Sequence, residues 1–323
     1  MSYVVKMDEK NKTIITVIQL LGFQTPQALT FVLFFLFLLM YCVTICGNLL
    51  IITLVSYSKT LHSPMYFFLS QLSVMDILLT TDVFPYMLHS MLEKDSATMS
   101  ISNCIIQFYF FAVSETSECL LLTVMSYDRY VAICKPLHYT LLMSTQFCWI
   151  TILTSWILSF LSGLIYTIEI SKLQFCSPNV IDHFFCDLGP ILKLSCSDTT
   201  IVQLESTLIN VVFACAPVIF IIVSYVYIIV TIFKIPSITG RQKVFSTCSS
   251  HLIVVSMFYG TLIFVYLIPR RGQLLNITKF ISLLYTTATP MINPIIYSLR
   301  NKDLKQVIDR IVNNFLKMHL HHY

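Results

Sequence analysis

The sequence predicts an all-α membrane protein, a bundle of seven transmembrane helices followed by a short amphipathic C-terminal helix. Three observations predict it. Of 323 residues, 56% are hydrophobic and only 11% charged, with a mean hydropathy of +0.79. A soluble domain averages about 25% charged residues, so this chain has too little charged surface to cover itself in water. Seven stretches reach the roughly 20 mostly apolar residues that a bilayer-crossing helix needs. After the seventh, "LRNKDLKQVIDRIVNNFLKM" places Leu304, Val307, Ile308, Ile311, Val312 and Phe315 at helical spacing, with Lys305, Asp309 and Arg310 elsewhere. That pattern suits a helix lying on the cytoplasmic leaflet of a lipid bilayer.

The elements follow in chain order. The opening "MSYVVKMDEKNKTIITVIQLLGF" lacks a cationic-then-apolar signal-peptide layout and reads as an extracellular tail over residues 1–27. Asn11 in "NKT" is a glycosylation acceptor on that tail, and Asn276 in "NIT" is a second match close to a span end. The spans run Ala28–Tyr57, Pro64–Leu92, Ile101–Cys134, Phe147–Ile168, Ile201–Phe233, Val244–Leu267 and Asn276–Ser298. Residues 28–300 thus form one seven-helix domain, and 301–323 a cytoplasmic amphipathic helix and tail. The longest gap is Glu169 to Thr200. No internal repeat stands out, which counts against the inverted-repeat transporters.

An odd number of spans puts the termini on opposite sides. With the N-terminus outside, Lys59, Arg129, Lys135, Lys234, Arg241, Lys243, Arg300, Lys302, Lys305, Arg310 and Lys317 fall on the cytoplasmic side. Eleven of the twenty Lys and Arg favour that orientation only slightly. The cysteines decide it more firmly. Cys176, Cys186 and Cys196 lie in the long loop and Cys104 opens the third span on the same face. Four thiols there suit two disulfides and an oxidising compartment; three pairings are open. Net charge is +4 without a long basic run, so nucleic acid is not an expected partner. The closing "HLHHY" reads as a solvated tail rather than a metal cluster.

Ionisable residues inside spans are costly and point to function. Asp76 lies mid-span in the second helix, and Glu115 and Glu118 lie mid-span in the third. Glu118 and Arg129 share a helix face about 16 Å apart along the axis. Asp76 and Glu118 would share a polar pocket with Asn48 and Asn293, and two readings stand for it. Either the acids are protonated and hydrogen-bonded, or they hold a monovalent cation such as sodium. In "TPMINPIIYSL", Pro290 and Pro294 break the helical ladder beside Asn293, giving either a hinge or a static kink. The pair Asp128-Arg129 in "MSYDRYVAICKPLHY" stands at the end of a long apolar run.

Five blocks now carry a resemblance: "LHSPMYFFLSQLSVMD" (61–76), "MSYDRYVAICKPLHY" (125–139), "SYVYII" (224–229), "KVFSTCSSHLIVV" (243–255) and "PMINPIIYSLRNKD" (290–303). With the loop "CSPNVIDHFFCDLGPILKLSC" (176–196), they make the chain resemble vertebrate olfactory receptors, which are rhodopsin-like G-protein-coupled receptors. The likeness extends from Gly22 to Asp303. It implies a Cys104–Cys186 disulfide and a Cys176–Cys196 disulfide. It implies that Arg129 faces a G protein with Asp128 as its resting partner, and that Tyr225 and Tyr297 help hold the active arrangement. Asp76 and Glu118 match the polar pocket below the ligand site, and Tyr259 matches the pocket floor.

With the resemblance, helical spacing proposes a ligand set in the extracellular half. It comprises Phe108, Phe111, Ala112 and Glu115 on the third helix, Ser206, Ile209, Asn210 and Phe213 on the fifth, and Tyr259, Leu262, Ile263 and Tyr266 on the sixth. Without the likeness such stripes read more often as packing. Val244 stands where a smaller residue is usual, "TVIQLLGF" (16–23) follows the usual N-terminal pattern only loosely, and Glu115 stands where a small or neutral residue is expected. Glu115 is either protonated and packed, or a recognition group for an amine or a strong hydrogen-bond donor. The resemblance implies a plasma-membrane receptor without catalysis or cofactor. A small odorant would shift it to a state that activates a heterotrimeric stimulatory G protein and raises cyclic AMP. A metabolite receptor outside the nose is the same-class rival. A channel or transporter leaves Arg129 unexplained, and an intramembrane enzyme would rest on His251 alone.

Overall fold

The computed structural model describes residues 15–93, 97–176, 178–267, 274–300 and 304–310. Asn11 and the "HLHHY" tail lie outside them. Seven helical rods appear among the described residues. They are α1 (Gln27–Tyr57), α2 (Pro64–Leu92), α3 (Ile101–Cys134), α4 (Thr145–Ser171), α5 (Thr200–Lys234), α6 (Ile238–Leu267) and α7, which runs as Leu274–Leu283, Leu284–Ala288 and Thr289–Arg300. The first five are long and apolar enough to cross a membrane, and α6 carries a shorter apolar core, Cys248–Phe264. The rods match the seven expected spans and overrun several of their ends by a turn or less, except α6, which begins earlier.

Local chemistry sets the starts. The Ser100 hydroxyl accepts the Asn103 amide at 3.1 Å at the head of α3, and the Ser144 hydroxyl accepts that of Phe147 at 3.3 Å at the head of α4. Pro64 opens α2, where its missing N–H costs nothing. Outward faces of α1, α4 and α5 expose Leu, Ile, Val and Phe, as a lipid surround requires. The third rod is the most deeply buried and packs on α2, α4 and α5.

Two turns are wound one residue wide, as π-turns. One, Val211–Cys215, precedes Pro217 in α5; the other, Leu284–Ala288, precedes Pro290 in α7. Such turns absorb an extra residue and recur at functional sites. A final helix, α8 (304–310), buries Leu304 and Val307 and exposes Lys305, Asp309 and Arg310. That agrees with the amphipathic expectation as far as it is described; Ile311, Val312 and Phe315 lie beyond.

Strands were not expected. β1 (Val17–Leu20) sits between β2 (Thr98–Ser100) and β3 (Val180–Ile181), antiparallel to the first and parallel to the second. Segments of two to four residues carry no readable alternation, and their pairing is non-local, so sequence periodicity misses them. The sheet buries Ile18 and Leu20 against the disulfide-bearing loop end. Beyond it Gly22 turns at a φ of 56°, and Phe23 stacks on Phe184 at 5.3 Å. The Lys279 ammonium pairs with Asp182 and donates to the Gly22 carbonyl at 3.2 Å.

Two disulfides close that end, Cys104–Cys186 and Cys176–Cys196, as the resemblance implies. One apolar cluster lies beneath them, around Phe84, Phe108 and Phe184. A second lies toward Arg129, around Leu69, Leu122 and Tyr225. The functional residues group at the two ends and at the seam between these clusters.

Candidate functional site

At one end of α3, Arg129 turns onto the residue before it. Its Nε donates to Asp128 Oδ2 at 2.9 Å, and its terminal nitrogen reaches the same oxygen. The other carboxylate oxygen accepts the Tyr139 hydroxyl at 2.7 Å. Tyr139 opens a single turn, Tyr139–Leu142, placed there by the tight turn Pro136–His138. Burial, reinforced by the neighbouring Asp128 charge, pushes the Tyr139 pKa up, so the hydroxyl remains a donor. Asp128 is fully buried and Arg129 is 9% exposed. Two charges withdrawn from water persist only when paired and hydrogen-bonded in this way.

Tyr225 and Tyr297, expected to help hold the active arrangement, make no hydrogen bond to this pair among the described residues. The Tyr225 hydroxyl meets His251 Nδ1 at 2.7 Å, and the two rings stack with centroids 5.8 Å apart. His251 Nε2 faces the Leu122 carbonyl at 3.2 Å. A carbonyl only accepts, so Nε2 carries the proton and Nδ1 of the neutral ring accepts from Tyr225. This bridge ties α3, α5 and α6. Tyr297 is fully buried, and its hydroxyl has no hydrogen-bond partner among the described residues.

The seam between the two apolar clusters holds the predicted polar group. Asn293 Nδ2 donates to both Asp76 oxygens, at 3.2 and 3.1 Å. The Asp76 and Glu118 carboxyl groups are close enough to interact, and both residues are buried. Two carboxyl groups so placed require a shared proton or a cation. Asn48 takes a different part from the one expected. Its Nδ2 donates to the Thr44 and Pro290 carbonyls, each at 3.0 Å. Pro294 has no N–H to return to the Pro290 carbonyl, so the α1 side chain supplies the donor the α7 ladder lacks. Gly47 permits this approach, since a Cβ there would lie 3.1 Å from the Pro294 ring.

Nearer the disulfides, a partly open cavity lies between α3 and α5. Seven of the twelve proposed ligand residues line it: Phe108, Ala112, Glu115, Ser206, Ile209, Asn210 and Phe213. Thr116, Cys119, Tyr166, Leu188 and Ala214 complete the wall. The wide turn of α5 helps bring both Phe213 and Ala214 inward. Phe111 instead packs in the core, 1% exposed, against Phe108, Phe185 and Tyr285.

None of the described side chains of the sixth helix lines the cavity. Tyr259 is 4% exposed and lies below, its hydroxyl near Cys119. Leu262 packs on the lower core. Ile263 is 48% exposed on the outer face, and the Tyr266 side chain lies outside the described residues.

Three residues were missed. Tyr139 is one. Gln107 donates to the Asp82 carbonyl at 2.9 Å and accepts the Cys186 amide at 3.0 Å, joining α2, α3 and the disulfide loop. Asp82, inside α2, has a buried Oδ2 without a hydrogen-bond partner among the described residues. No group of three or more metal-ligating side chains occurs among those residues.

Residues 37–315 match the family described as Olfactory receptor. Olfactory receptor 11L1 of Homo sapiens is 44% identical over 306 residues, covering 95% of each chain. Olfactory receptor 1468 of Rattus norvegicus is 42% identical over 95% of this chain and 97% of its own. The crystal structure of squid rhodopsin aligns with a TM-score of 0.71 over 91% of this chain and 88% of that one; at 18% identity this is a likeness of fold. The chain belongs to the olfactory receptor family, multi-pass membrane proteins that are signalling receptors and not enzymes.

Proposed function

We propose that this chain is an odorant receptor of the plasma membrane whose N-terminus is extracellular and whose Arg129 end is cytoplasmic. A small volatile molecule occupies the α3–α5 cavity and binds one arrangement of the bundle better than the other. That difference in affinity shifts the population. The cytoplasmic end of α6 then swings outward, Arg129 leaves Asp128, and a heterotrimeric stimulatory G protein docks and raises cyclic AMP. The observation that carries this reading is that one helix, α3, lines a cavity near one end and holds a buried, hydrogen-bonded ion pair at the other. A cyclic AMP assay against an odorant panel tests it, with Arg129→Ala matched for surface level. The variant should lose the response at every concentration; a full response would remove Arg129 from the switch.

The seam pocket fits a sodium ion. Asp76 and Glu118 supply carboxylate oxygens, and the buried Glu118 Oε1 and the Ser114 and Ser117 hydroxyls have no hydrogen-bond partners among the described residues. A bound cation would hold the two acids ionised and favour the resting arrangement. Replacing potassium with sodium chloride at constant ionic strength should raise the Tm of purified receptor by several degrees, and Asp76→Asn should abolish the difference. An equal Tm in both salts for the unaltered receptor would leave the acids sharing a proton.

A further inference from the structure

Within the cavity wall, Glu115 is the one carboxylate, and no Lys, Arg or His lines the cavity among the described residues. The formal charge of the wall is therefore negative. Ser206 and Asn210 on the facing helix add oxygen acceptors. The rest of the wall is largely apolar, and Phe108 stands seven residues before Glu115, about 10 Å along the helix axis. A wall with an acid at one level and aromatic and aliphatic groups above it is complementary to a molecule with a cationic head and an apolar tail.

We propose that this receptor takes small aliphatic or arylalkyl amines, bound as their ammonium ions with the nitrogen at Glu115 and the tail toward Phe108. The proposal rests on the α3–α5 cavity being the odorant site. An alkyl ammonium titrates near the lysine value of about 10.4, so the charged form dominates at neutral pH. Its three N–H donors suit Glu115 together with the α5 acceptors. A neutral alcohol of the same skeleton offers one donor and no charge, and so gains less from this wall.

The test uses the full-length receptor in a cyclic AMP assay. Surface level is matched by antibody staining, and the probes are n-butylamine to n-octylamine, cyclohexylamine, phenethylamine and their alcohol counterparts. The expected result is activation by amines at lower concentration than by the matching alcohols. Glu115→Gln should shift the amine-to-alcohol potency ratio by about thirtyfold or more, since removing one partner of a buried charge pair costs upward of 2 kcal/mol. Glu115→Asp should restore part of the ratio. An unchanged ratio in Glu115→Gln, or silence of every amine, overturns the proposal. Ala112→Phe, which fills the cavity, separates the two levels. Alcohol responses that vanish in Ala112→Phe while amines stay inactive leave the cavity as the odorant site and reject the amine. Responses untouched by Ala112→Phe reject the cavity itself and the amine with it.

Discussion

Tyr139 occupies the second oxygen of Asp128, so its hydroxyl helps keep the carboxylate turned toward Arg129. A hydrogen bond to a charged group contributes about 1.5–3 kcal/mol, and a half-buried one belongs at the low end. Tyr139→Phe should therefore move the resting balance toward the open arrangement by roughly tenfold, read as raised cyclic AMP without ligand. Unchanged ligand-free signalling would show that Asp128 needs only Arg129. The raised Tyr139 pKa fixes the sign with pH. The folded protein favours the neutral phenol, so its contribution is whole below the unfolded value near 10 and is lost as pH rises past it. At this scale the sequence was partly legible. Two full charges closing an apolar run mark Asp128 and Arg129 without help. Tyr139 is eleven residues on, and its partner depends on the tight turn at Pro136–His138, which no local pattern encodes. Asp82, by contrast, carried a local signal, an ionisable residue inside an apolar span, and only its contact with Gln107 depends on packing.

The rods meet most closely where a side chain is missing. A Cβ on Gly163 of α4 would lie 2.8 Å from Val113 and 3.1 Å from the Tyr109 ring, both on α3. Gly260 of α6 has nothing within 4 Å of the same position. Gly163→Ala should thus destabilise by about 1–3 kcal/mol through overpacking. Gly260→Ala should be neutral or stabilise by up to about 1 kcal/mol through helix propensity. Thermal denaturation in detergent should order the two variants on opposite sides of the parent, and equal shifts would contradict the close α3–α4 contact. Helix existence was legible because apolar length alone demands it, and the break at Pro290 and Pro294 was too. The donor that repairs the break was not. Asn48 lies on another helix, and its pairing with the Pro290 carbonyl follows from how α1 and α7 pack. The two wide turns likewise leave no mark in hydrophobic spacing, yet one of them helps shape the cavity wall. Tyr259, Leu262 and Ile263 of the α6 set lie off the cavity wall, because helical spacing fixes which positions share a face but not which face turns inward.

The two disulfides differ in what they hold. Cys104–Cys186 closes a loop spanning 82 positions and ties α3 to the long loop, whereas Cys176–Cys196 closes one of 20 within that loop. In the chain-entropy account the first contributes about 4.5 kcal/mol and the second about 3.3 kcal/mol. Replacing both cysteines of a pair by alanine should lower the Tm in each case, and more for Cys104–Cys186; the reverse order would contradict that account. The small sheet beneath these bonds bears on biosynthesis. β1 is made before its partners, yet Gln19 finds Thr98 only after α2 has been synthesised, and Val180 only after α4. Until then its backbone is an open edge, the kind of surface that recruits other chains. The first strand translated is among the last to be satisfied, so a quality-control system monitoring the nascent receptor would find Ile18 and Leu20 uncovered for most of the time the bundle is being assembled.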